Sequence, residues 1–157
     1  MPDMAVNIGA RGHAFISYVH EDTDSVDELQ HTLETAGVPV WRDTGSLFPG
    51  QDWRAVIRHA ISDDALVFLA CFSTNSESRR KSYQNEELVL ATEQIRLRRA
   101  GVPWLIPVRF DNCQIPDWDI GAGRTLTSLQ QADLFGPHHK QSAARLITAV
   151  QYILSYP

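Results

Sequence analysis

The sequence predicts an α/β domain in which a doubly wound parallel sheet carries helices on both faces. Three observations support this. Short apolar, β-branched runs alternate with segments of helical period. One run, residues 65–72 (ALVFLACF), is apolar throughout, as a strand must be when helices cover both of its faces. The chain has 157 residues, within the roughly 100–200 residues of one domain. Strands separated by helices pair in parallel, because each helix returns the chain to the end where the previous strand began.

The elements follow in order. Residues 13–18 (HAFISY) form the first strand, ending where polar residues begin. Ser25-Val26-Asp27-Glu28 has the spacing of a capping box and precedes Leu29, Leu33 and Ala36 at helical period, with Gly37 as the stop. Residues 38–41 are a second strand, and residues 43–50 (DTGSLFPG) are a loop dense in turn formers. Trp53, Val56, Ile57, Ala60 and Ile61 then trace one face of a helix, with Trp53 as its core anchor. After the central strand 65–72 and a polar stretch, Ser82 caps a helix running to about Arg99, with Leu88, Ala91 and Ile95 as its buried stripe. Residues 102–110 are a strand whose Pro103 and Pro107 lack a donor, which places it toward an edge or at an irregularity. Residues 111–126 read as a long loop, residues 129–134 allow a short strand, and a final helix over about 141–155 buries Leu146, Ile147, Val150, Ile153 and Leu154.

Composition narrows the function. Hydrophobic residues make up 43% and charged residues 21%, the balance of a folded chain. A net charge of −5 leaves no basic stripe for phosphates, which argues against nucleic acid as a partner. No apolar run approaches the roughly 18–20 residues that span a bilayer, and the N-terminus lacks a secretory pattern. The expectation is therefore a cytoplasmic protein with no membrane partner. Cys71 and Cys113 are expected as free thiols, and neither they nor His138-His139 have metal-ligand spacing. Residues 1–12 are taken as an N-terminal extension and 13–155 as the domain. Such a chain has no room for a sensor, so either it is an excised domain or its trigger is another molecule.

The common phosphate and hydrolase signatures are absent. There is no GxxxxGK[ST], no GxGxxG after a strand, no GxSxG and no HExxH. A phospho-acceptor receiver would need acids at the ends of the first and third strands, where this chain has Ser17-Tyr18 and Phe72-Ser73. Ligands of such sheets bind beyond the carboxyl ends of the strands, where strand order reverses. That rule directs attention to residues 17–22, 43–50 and 73–87.

Within those segments stand Phe15-Ile16-Ser17-Tyr18 followed by His20-Glu21-Asp22, the loop from Asp43 through Leu47-Phe48-Pro49-Gly50 with Trp53 beyond it, and Ser82-Tyr83 followed by Glu87-Leu88. Further on come residues 105–109 (LIPVR) and 111–116 (DNCQIP). Together and in this order, over about residues 13–153, they resemble the Toll/interleukin-1 receptor (TIR) domain, bacterial type. The resemblance implies a flavodoxin-like five-stranded sheet in the order 2-1-3-4-5. It also implies an NAD⁺ glycohydrolase that cleaves the nicotinamide–ribose bond to ADP-ribose or a cyclic product, with NAD⁺ as substrate and no cofactor. By position the catalytic glutamate is Glu87, four residues after Tyr83, where the family often has Trp. Tyr18, His20, Asp43 and Tyr83 are the substrate-binding candidates. Leu47, Phe48, Pro49 and Gly50 are candidates for gating and self-association, since a loop with two large apolar residues exposes at least one of them unless something covers it.

Each assignment has a plainer reading. Acids such as Glu86 and Glu87 are favoured in a first helical turn in any protein. Tyr18 can cap the sheet, Asp43 can be a turn former, and the clusters at Arg79-Arg80-Lys81 and Arg96, Arg98 and Arg99 can be solvated faces. The resemblance implies a setting in bacterial defence, activated by assembly with other copies or by an upstream sensor. The alternative is a non-catalytic module that recruits other TIR domains; Glu87 favours the enzyme, because many adaptor members lack a glutamate there.

Overall fold

A computed structural model describes residues 12–42, 49–79, 81–98 and 101–155. The main elements are β1 (His13–Ser17), α1 (Thr23–Thr35), β2 (Val40–Trp41), α2 (Trp53–His59), β3 (Ala65–Phe72), α3 (Thr74–Glu77), α4 (Tyr83–Ile95), β4 (Leu105–Arg109), β5 (Asp119–Gly121), β6 (Arg124–Thr125), β7 (Ala132–Asp133) and α5 (His139–Leu154). Five strands form one sheet in the order β2-β1-β3-β4-β7, every pair parallel. This is the expected 2-1-3-4-5 order, with β7 as the fifth strand.

Alternation along the strands sorts the core into two layers. Phe15, Phe68, Ala70 and Phe72 pack on one face with Ile57, Leu88 and Ala91 of α2 and α4. Ala14, Ile16, Val67, Leu69 and Cys71 pack on the other with Val26, Leu33, Leu146 and Val150 of α1 and α5. Phe15 lies between Trp41 and Phe68, with ring centroids 5.2 and 5.3 Å away. Complete burial of each such side chain contributes about 1.5–3 kcal/mol, so these inward-facing rows hold the helices to the sheet.

Several boundaries differ from the sequence expectation. The first helix begins at Thr23, not at the Ser25 capping box, because a 3-10 turn over His20–Asp22 runs directly into it and the Thr23 hydroxyl donates to the His20 carbonyl. It ends as expected at Gly37, whose φ of +84° suits a residue without Cβ. Helix α2 closes in a wide π turn over Ala60–Asp64. Ser82 occupies the N-cap of α4, but its hydroxyl makes no capping bond. That helix stops at Ile95, short of Arg99, which lies outside the described residues.

Strand β4 is an edge over its first three residues, which include Pro107 as expected, and β7 covers it from Val108. The Phe110 N–H donates to β3, whereas the Arg109 carbonyl accepts from Leu134 beside β7. Alternation therefore turns Pro107 toward β7, at a point where pairing has not yet begun, and its missing donor breaks no ladder. The expected loop 111–126 contains a two-stranded antiparallel ribbon, β5–β6. Arg98 is not a solvated charge: it donates to the carbonyls of Ala65 and Ile61 and lies 3.7 Å above the Trp104 ring. Arg79 pairs with Glu21.

Candidate functional site

The chain passes from β1 outward to β2 and then back across to β3, so strand order reverses between β1 and β3. Their carboxyl ends lead to helices on opposite faces, the point at which sheets of this kind form a ligand crevice. Ser17, the last residue of β1, is fully buried. Its Oγ donates to Oε1 of Glu87 at 2.6 Å, joining residues 70 apart in sequence.

Helix α4 makes this contact possible. Gln84, Leu88 and Ala91 recur at helical spacing and are buried against the sheet. Gln84 is polar at an apolar position, and its amide donates to the carbonyls of Ser17 at 3.1 Å and Cys71 at 2.7 Å. One side chain thus ties the first turn of α4 to the ends of both strands flanking the crevice. Glu87, one turn on, is placed at the end of β1.

Burial pushes the Glu87 carboxyl up to about 7; the Ser17 hydroxyl opposes this, and neighbouring Glu86 adds to it. Oε2 of Glu87 has no hydrogen-bond partner among the described residues and is not sealed from solvent. Near neutral pH the group is thus a half-buried carboxyl close to its own titration point, with one oxygen held and one available. Cys71 lends the site only its carbonyl; its thiol faces the other layer, where burial holds it far above its ordinary value.

The rim is aromatic and charged. Tyr83 is 66% exposed, and its ring meets that of half-buried Trp53 edge-on at 4.9 Å. Arg54 lies over the Trp53 ring and reaches Glu86 at 3.4 Å. Glu86 is exposed on the rim while Glu87 faces the crevice, which separates the two adjacent acids. Trp53, expected only as a core anchor, packs on the core and also supports Tyr83.

Below the crevice, Asp22 is buried and accepts from Ser73 Oγ at 2.6 Å and Asn75 Nδ2 at 2.9 Å. Ser73 also caps α3 by accepting from the N–H groups of Asn75 and Ser76. The 20–22 turn is thereby clamped to the end of β3.

The expected site residues separate in space. Glu87 and Tyr83 share the crevice edge, and His20 is exposed in the turn after β1. Tyr18 follows Ser17 and so faces the opposite layer, where its phenol oxygen accepts from Arg42 Nε and Nη2, and Arg42 also holds Asp27 and Gln30. Pro49 and Gly50 are exposed just ahead of α2. Asp43, Leu47 and Phe48 lie outside the described residues. Sequence reasoning did not single out Ser17 or Gln84. A polar residue in register with the Leu88–Ala91 stripe was the available signal for Gln84; for Ser17 it was only its place at a strand end.

Elsewhere, a cleft of about 1230 Å³ opens beside the start of β4, bounded by Ile95, Arg98, Leu129 and Arg145. It contains none of the residues around Glu87. The crevice at Glu87 combines a half-buried carboxyl, a directed donor and the reversal of strand order, which makes it the candidate site. No cluster of metal ligands occurs among the described residues, and no described helix is long and apolar enough to cross a membrane.

The parallel sheet in this order defines a doubly wound α/β fold with its crevice between β1 and β3. The family model described as TIR domain matches residues 14–147, and the chain belongs to that family. Among solved structures, the TIR domain of the Toll-related receptor TRR-2 from Hydra magnipapillata superposes with a TM-score of 0.60 at 20% identity, covering 86% of this chain and 97% of that one. A metazoan TIR-STING receptor from C. gigas superposes with a TM-score of 0.54 at 18% identity, covering 92% of this chain but only 40% of that one. At such identities the likeness is one of fold. No curated protein matches the chain.

Proposed function

We propose that the chain is an NAD⁺ glycohydrolase that cleaves the nicotinamide–ribose bond with Glu87, releasing nicotinamide and ADP-ribose or a cyclic isomer. The observation that supports this reading best is the Ser17–Glu87 contact at the switch point, which leaves one carboxylate oxygen available in a partly desolvated crevice. Nicotinamide leaves a cationic pyridinium as a neutral molecule, so the step needs no general acid. The barrier lies in the positive charge that develops on the ribose, of the kind glycosidases stabilise with a carboxylate.

At ~4 Å and an effective dielectric of ~20, a carboxylate stabilises such a cation by about 4 kcal/mol. Realised only in the transition state, that is roughly a thousandfold in rate. The same oxygen can hold a ribose hydroxyl, and water or a hydroxyl of the ADP-ribose then captures C1′. Tyr83, exposed beside Trp53, offers a ring face to the nicotinamide or adenine, and His20, exposed in the turn after β1, is a further candidate for substrate contact. NAD⁺ is the substrate, and no cofactor takes part in this scheme.

In this reading the site is completed by self-association of TIR domains. The loop 43–50 enters a neighbour's contact, and the setting is bacterial defence in the cytoplasm, under an upstream trigger. The test is nicotinamide release from NAD⁺ across a wide range of protein concentrations, beside Glu87→Ala. Release that rises faster than linearly with concentration and vanishes in the variant is the expected result. Release unchanged in Glu87→Ala removes the site. Its absence from folded, self-associated protein favours the alternative, a non-catalytic module that joins other TIR domains.

A further inference from the structure

We propose that Ser17 is the positioning residue of the Glu87 site: its hydroxyl holds Oε1, aims Oε2 at the substrate, and favours the charged form of the carboxyl over the neutral one. This rests on the reading of Glu87 as the catalytic group and assigns the control of its charge to a second residue.

The geometry supports each part. Ser17 is fully buried at the end of β1, so its hydroxyl has no water to choose instead of Glu87. At 2.6 Å the bond has the length of an O–H donor on a charged oxygen. Gln84 fixes the backbone on both sides of it by donating to the Ser17 carbonyl from the same helical turn that carries Glu87. Donor and acceptor therefore cannot drift apart without breaking a second bond. Oε2 has no partner among the described residues, which leaves it for a ligand.

The charged groups around Glu87 leave this task to Ser17. On α4, Glu86 opposes ionisation of Glu87. On α2, Arg54 is engaged by Glu86 at the rim. On β3, the residues turned to this layer, Ala70 and Phe72, carry no charge, and Cys71 faces the opposite layer. Asp22, after β1, is engaged by Ser73 and Asn75. No cation among the described residues pairs with Glu87, so a neutral hydroxyl is what counters the cost of burial. A donor that bonds the charged form lowers the pKa, and its loss raises it.

The experiment compares wild type with Ser17→Ala, Ser17→Cys and Ser17→Thr. The Glu87 carboxyl is followed by ¹³C NMR of glutamate-labelled protein, assigned with Glu87→Gln, and NAD⁺ cleavage is followed against pH. In Ser17→Ala the Glu87 titration and the acid limb of kcat/KM both move upward by about one to two pH units. At a pH above both midpoints, kcat stays roughly tenfold low while KM changes little, because orientation is still lost. Ser17→Thr restores the wild-type profile. Ser17→Cys, a weaker donor, moves in the direction of Ala and keeps the test open if Ala does not fold. An unchanged Glu87 titration in folded Ser17→Ala and Ser17→Cys overturns the proposal. A titration that moves while wild type cleaves no NAD⁺ upholds the Ser17–Glu87 linkage and overturns the glycohydrolase reading instead.

Discussion

Replacing Glu87 with Gln should stabilise the protein at alkaline pH and leave its stability unchanged at acid pH. The carboxyl rises from 4.5 to about 7 on folding, chiefly through burial. Between those values the folded chain holds a proton that the unfolded chain releases, so stability falls as pH rises through this window. The penalty is complete above about 7 and absent below about 4.5. A pKa difference of this size corresponds to about 3 kcal/mol at 1.36 kcal/mol per pH unit. Glu87→Gln keeps the shape and an oxygen for the Ser17 hydroxyl but removes the buried charge. The expected gain at about pH 8 is therefore up to about 3 kcal/mol, or roughly 6–12 °C in Tm for a chain of this size. At about pH 4 the gain should vanish, since the native carboxyl is then neutral in both states. Urea unfolding of both proteins at the two pH values measures the difference. A variant no more stable than wild type at alkaline pH, or one whose gain persists in acid, would refute the reasoning. Confirmation would show that the fold carries this carboxylate at a cost to stability, as functional groups often require.

Two further predictions concern the support of the site and the edge of the sheet. Asp22→Asn keeps the volume but turns an amide N–H₂ toward a donor, Ser73 or Asn75, and should cost about 1.5–3 kcal/mol in urea unfolding; a neutral result would mean the clamp bears no strain of assembly. Arg109→Ala removes both bonds to Asp133 and one to the Cys113 carbonyl. Because β7 pairs with β4 through only two residues, the Leu134 amide should exchange roughly tenfold faster while the β3 amides stay protected. Equal acceleration in β3 would show that the edge strand does not open on its own.

Local pattern carried much of this architecture. The apolar run 65–72 matches a strand between two helical layers, buried at every position but Leu66, and Leu88, Ala91 and Ile95 mark the inward face of α4. Weak or mixed signals were harder to read. The ribbon β5–β6 and the strand β7 are two or three residues long, too short for a period to register, and they exist because β4 and the segment around them supply partners. The Ser25–Glu28 pattern matched a cap, yet the preceding turn, fastened through buried Asp22 to Ser73 and Asn75, set the N-cap three residues earlier, at Asp22.

The candidate site divides along the same line. Sequence alone determined the strand–helix alternation, the segments at the strand ends and, through its family resemblance, the position of Glu87 on the helix after the third strand. It also held the fact that Ser17 and Tyr18 must face opposite layers, because consecutive strand residues alternate. Only the tertiary structure decided that Ser17 is the one turned toward Glu87, that Gln84 locks the two together, and that Tyr18 is engaged by Arg42 on the other face. Period and propensity act over three or four residues. A hydrogen bond between residues 70 apart depends on strand order, on register and on which face each helix covers, and those are settled when the sheet assembles.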